Sequence, residues 1–122
     1  PEPVVFRQHF SYNRANTAQR EDAFAAFAER AADYLKRKPD APVSILSSAS
    51  RVPTRSFPSN QALAQHRAEQ AQKALEKALR RAGLEQLPQM RSSSEVTGPE
   101  NAERYRPHQF VEIRVGKPVL RD

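Results

Sequence analysis

The sequence predicts an α/β fold, an α+β sandwich in which a mixed four-stranded sheet carries its helices on one face. Three observations lead there. Two long segments repeat apolar residues at three- and four-residue steps, as helices do. Four shorter segments are rich in β-branched and aromatic residues or alternate apolar and polar. Their order along the chain is strand, helix, strand, helix, strand, strand.

The elements follow in turn. Val4-Val5-Phe6-Arg7-Gln8-His9-Phe10 reads as a strand, and the polar stretch Ser11 to Arg20 as a loop with Asn16 or Thr17 as the cap of the next element. Glu21 to Lys38 reads as a helix, with Phe24, Phe27, Ala28, Ala31 and Leu35 on one face. Acids lead it (Glu21, Asp22) and bases close it (Lys36, Arg37, Lys38), which suits the helix dipole. Pro39 and Pro42 stop it. Val43-Ser44-Ile45-Leu46-Ser47 is a second short strand, and the serine- and proline-bearing stretch Ser47 to Ser59 reads as a substantial loop. Asn60 to Ala82 is the longest helix, closed by Gly83. Gln89 to Val96 is a weakly alternating third strand, and Phe110-Val111-Glu112-Ile113-Arg114-Val115 a clearly alternating fourth that ends at Gly116.

The chain has 122 residues, 38% hydrophobic and 28% charged, which is the size of one domain, residues 1–122, with one modest core. Opening on Pro1-Glu2-Pro3 without a leader, it reads as a domain excised from a longer protein. Twenty Lys and Arg against fourteen Asp and Glu leave a formal charge of +6, which favours an anionic partner. There is no cysteine, so thiolate chemistry, disulfides and Cys-ligated metal are excluded. No apolar run approaches the ~20 residues of a membrane span.

One residue stands out of pattern. At about 100° per residue, Asn60, Leu63, Ala64, Ala68, Ala71, Leu75 and Leu79 share one face of the second helix, and Arg67 falls among them. An arginine on a buried face needs a carboxylate or several carbonyls to satisfy it. It is either a structural cation with an internal partner or the floor of a site for an anionic ligand.

Asn60-x-x-Leu63-Ala64-x-x-Arg67-Ala68-x-x-Ala71-x-x-x-Leu75 resembles the peptidoglycan-associating motif of OmpA-like C-terminal domains, the family of the Pal lipoprotein and MotB. The resemblance spans nearly the whole chain. It implies a β-α-β-α-β-β domain that binds the diaminopimelate-bearing peptide stem of peptidoglycan without covalent chemistry and anchors a larger envelope protein. It implies a periplasmic location, with outer-membrane association through a segment upstream. The ligand-binding residues expected on this basis are Arg67, Asn60, Ser50, Arg51, Thr54 and Leu63, with Arg67 holding the ligand carboxylate. Two family features are replaced: the aspartate expected after the second strand falls on Ser50, and the paired arginines before the last strand fall on Gln109-Phe110. Exchanging a charged for a neutral hydrogen-bonding group costs about 1–2 kcal/mol, or roughly ten- to thirtyfold in affinity. The alternative function is an OmpA-like fold that has lost wall binding and serves as an assembly module, with Arg67 held internally by Glu95 or Glu112.

Other chemistries lack their constellations. Ser47, Ser48 and Ser50 have no nucleophile elbow and no adjacent base, so no enzyme is expected. His9, His66 and His108 are far apart in sequence, no phosphate-cradling glycine loop exists, and no cofactor or metal is expected. Helix cations alternate with acids and most aromatics sit in core patterns, so nucleic acid is not an expected partner.

Overall fold

The computed structural model describes residues 2–10, 21–52, 57–98 and 106–116. Their elements are β1 (Val4–His9), α1 (Glu21–Arg37), β2 (Val43–Ser50), α2 (Asn60–Arg81), β3 (Met90–Thr97) and β4 (Phe110–Val115), with one turn of 3-10 helix at Arg106–His108. The expected loop Ser11 to Arg20, with the candidate caps Asn16 and Thr17, lies outside the described residues.

The sheet order is β1-β4-β2-β3. β4 is antiparallel to both β1 and β2, and β2 is parallel to β3. Each helix therefore connects two parallel strands, the arrangement that needs a crossover element. The alternation of β4 decides what faces the helices. Val111, Ile113 and Val115 join Phe6 of β1, Val43 and Ile45 of β2, and Phe27, Leu35, Leu75 and Leu79 of the helices in one core. Glu112 and Arg114 turn to the other face, where Glu112 takes Arg7 and Arg114 at 2.9 Å each.

α1 seats its aromatic stripe on β1. Phe24 meets Phe6 edge-on at 5.2 Å between ring centroids, and Phe27 lies 5.6 Å from Phe6. The helix stops at Arg37, one residue before the expected end and just ahead of the Pro39 turn. α2 starts as read, with a cap that the sequence reading did not single out: Ser59 Oγ accepts the Ala62 N–H at 3.0 Å. Ser59→Ala is expected to lower unfolding stability by about 1 kcal/mol, the usual loss for such a cap; urea denaturation checks it. At the other end Gly83, at φ +93°, donates to Arg80 O while Leu84 donates to Leu79 O. This paired closure is the one glycine serves at a helix end. Lys36 of α1 adds an ammonium on Ala82 O at 3.2 Å, tying the two helix ends together.

β2 departs most from expectation. It runs through Ser50 rather than ending at Ser47, and all eight of its residues are buried. The strand is flanked by β4 and β3 and has α2 packed against it, so little of it is left to solvent. The segment Ser48-Ala49-Ser50, expected in a loop, is thereby fixed in register with Glu95, Val96 and Thr97 of β3. β3 likewise begins at Met90, one residue later than expected, and extends to Thr97, one residue further.

Candidate functional site

The C-terminal ends of β2 and β3, the segment preceding β4, and the second turn of α2 meet at one place. Arg67 projects from the apolar face of α2 into it and is 0% exposed. The helix period makes this unavoidable, because the stripe that buries Leu63, Ala64, Ala68 and Ala71 also carries residue 67.

Gln109 and Phe10 contact the guanidinium directly, and Ser50 joins through Gln109. The guanidinium Nη1 donates to Gln109 Oε1. Its carbon lies 4.5 Å from the centroid of the Phe10 ring, a cation–π contact. Gln109 in turn donates from Nε2 to Ser50 Oγ at 3.0 Å. The amide orientation follows from chemistry, because a guanidinium has only donors and so must face the amide oxygen. Phe10 and Gln109 are themselves joined, the Phe10 N–H donating to Gln109 O at 2.8 Å, which continues the β1–β4 ladder by one rung. Burial pushes the Arg67 pKa down from its ordinary value to about 10. The cation is thus desolvated, and its Nη1 meets a neutral amide where the resemblance implied a carboxylate nearby.

Ser50 Oγ also accepts the Val52 N–H at 3.3 Å, so its oxygen receives two donors. Nearby at the strand ends, Ser48 Oγ and Thr97 Oγ1 lie 3.0 Å apart, and Thr97 Oγ1 lies 3.2 Å from His108 Nδ1. Gly98 makes room for that imidazole: at φ +83°, a Cβ built on it would fall 2.3 Å from His108 Cδ2.

Of the expected ligand-binding residues, Arg67 and Ser50 come together through Gln109. Leu63 supplies an apolar wall with Ala49, Ala64 and Phe57. Asn60 stands at the first turn of α2 on the same stripe, and its Oδ1 is buried with no hydrogen-bond partner among the described residues. Arg51 does not join them. It is exposed, and its Nη1 clasps Gly98 O at 2.9 Å, pinning the end of β2 to the end of β3. Thr54 lies outside the described residues. Glu112, a candidate internal partner for Arg67, is committed to Arg7 and Arg114 on the opposite sheet face. Glu95 stands on β3 in register with Ser48. Gln109 and Phe10 are the residues that sequence reasoning did not place here. The only signal was Gln109 occupying the position where the family has an arginine.

Among the described residues there is no group of three metal-ligating side chains, and no helix is long and apolar enough to cross a membrane. A groove between Ala25 and Ala28 of α1 and Lys73, Ala74 and Lys77 of α2 lies elsewhere and includes none of Arg67, Ser50 and Gln109.

No protein-family model and no curated protein matches the sequence. Solved structures do match. The peptidoglycan-associated lipoprotein from Burkholderia pseudomallei is 22% identical with a TM-score of 0.61, over 89% of this chain and 88% of that one. The OmpA-like domain of FopA1 from Francisella tularensis is 21% identical with a TM-score of 0.59, over 93% and 71%. The cell wall anchor of the T6SS from Pseudomonas aeruginosa is 23% identical with a TM-score of 0.56, over 93% and 81%. At these identities the likeness is one of architecture, and it agrees with the four-stranded mixed sheet and the two crossover helices: the chain has the OmpA-like fold.

Proposed function

We propose that this chain is a non-catalytic module that binds the peptide stem of peptidoglycan without covalent chemistry and anchors a larger envelope protein to the wall. The observation that carries this reading is Arg67, a desolvated cation on the apolar stripe of α2 whose Nη1 rests on a neutral amide. Replacing that amide oxygen by a ligand carboxylate turns a charge–neutral hydrogen bond into a charge-paired one, which is stronger in a dry site. The chemistry on this side of the site therefore asks for a carboxylate, such as the diaminopimelate carboxylate that the resemblance implies. The architectures named above include a peptidoglycan-associated lipoprotein and a cell wall anchor, which supports the same reading. It puts the chain in the periplasm, with association to the outer membrane supplied by other parts of the parent protein.

The test is a titration of the domain with soluble muropeptides, followed by the backbone amide signals of Ser50, Arg67 and Gln109. Saturable shifts at these residues are expected, and their absence with intact sacculi still unbound contradicts the reading. A second reading, an assembly module without wall binding, is favoured by one observation: Arg67 is sealed from solvent. It expects no shift with muropeptides.

A further inference from the structure

Gln109 does more than cover Arg67. Its carboxamide offers one acceptor to the guanidinium and one neutral N–H to Ser50 Oγ, and all three side chains are buried. That pairing, an oxygen for a cation and an N–H for a hydroxyl, is also what the end of an acylated amino acid presents: a carboxylate and the amide N–H beside it. A free α-amino acid end presents an ammonium instead. In this site an ammonium would approach the Arg67 cation with a serine hydroxyl at position 50 where the family's aspartate would stand. Like charge and desolvation both disfavour it.

We propose that the Arg67 site takes the carboxylate end of an acylated amino acid, a peptide C terminus, in preference to a zwitterionic amino acid end. Gln109 is the internal stand-in that such a ligand displaces. The proposal rests on the wall-binding reading and names which carboxylate of the stem is read. Ser50 is the specificity-determining position, because its neutral oxygen accepts an N–H without supplying the charge an ammonium needs. The apolar wall of Leu63 and Ala49 beside it suits the small side chain of a terminal residue.

The experiment compares two probes, N-acetyl-D-alanyl-D-alanine and meso-diaminopimelate, by calorimetry and amide shifts. Wild type, Ser50→Asp and Gln109→Ala are used, each first checked for folding by circular dichroism. Wild type is expected to bind the acetylated dipeptide about tenfold more tightly than diaminopimelate, the scale of one charge-assisted hydrogen bond. Ser50→Asp is expected to reverse that order. Gln109→Ala removes the stand-in and is expected to tighten the dipeptide severalfold, and it tests the proposal even if the buried carboxylate of Ser50→Asp prevents folding. Diaminopimelate bound more tightly by wild type overturns the proposal, as does a Gln109→Ala variant that binds the dipeptide more weakly or equally. If neither probe binds while intact sacculi do, the proposal fails and wall binding stands. If sacculi do not bind either, both fail.

Discussion

Arg67→Ala is expected to lower the stability of the folded domain by about 2–4 kcal/mol, and Arg67→Met by about 1 kcal/mol or less. Alanine leaves a cavity where one of the largest fully buried side chains stood, removes the contact with Phe10, and strands Gln109 Oε1 without its donor. Methionine refills most of the volume. Both variants regain the desolvation cost of a buried cation, which offsets part of the loss. The pH dependence has a definite sign. The folded state holds the Arg67 proton less tightly than the unfolded chain, burial having lowered its pKa to about 10. For a base so shifted the cost is fully present below about pH 10, and stability from this group rises as the pH climbs from there toward the ordinary arginine pKa. Between pH 5 and 9 the difference between wild type and Arg67→Met is therefore expected to be flat. Urea melts at several pH values check it; an Arg67→Ala loss below about 1 kcal/mol would show that the residue is not packed as described.

Gly116→Ala is expected to cost about 2–4 kcal/mol. Gly116 has φ +96°, in the left-handed region, and donates to Pro42 O at 2.8 Å, locking the end of β4 against the start of β2. A Cβ there would fall 2.5 Å from Tyr34 Oη and 2.6 Å from Cζ. Tyr34 is buried in the core on α1, so its ring has little room to withdraw, and the backbone must shift instead. Thermal and urea unfolding of the variant measure the loss, and a change under about 1 kcal/mol would contradict the tight approach. Gly98→Ala makes a useful contrast. The His108 ring it meets is only half-buried and can swing aside, so the expected loss is smaller, with the Thr97–His108 hydrogen bond broken.

The elements were legible where side-chain period is set by one buried face. The stripes of α1 and α2 and the alternation of β4 placed those elements to within a residue, and they put Arg67 on the apolar side of its helix. What was not legible depends on neighbours distant in sequence. Ser48, Ala49 and Ser50 look like turn residues in isolation, yet they are strand because β3 pairs with all three and β4 with Ser48. Phe10 and Gln109 carry no local pattern; the rung between them brings them under Arg67. Arg51 had the right charge in the right stretch, but a short clasp to Gly98 O turns it away from the site. The positive charge of the chain was informative in one residue rather than in its sum. Arg7 and Arg114 share Glu112 on the open face of the sheet, while Arg67 sits where charge is costly and a partner matters most.

The most direct measurement is cosedimentation of the purified domain with peptidoglycan sacculi, comparing wild type with Arg67→Met, chosen because methionine is expected to keep the fold. If Arg67 holds a stem carboxylate, wild type pellets with the sacculi and Arg67→Met stays in the supernatant at the same protein concentration. Equal pelleting of a folded Arg67→Met variant would contradict the account, since the cation at the centre of the site would then play no part in holding the wall.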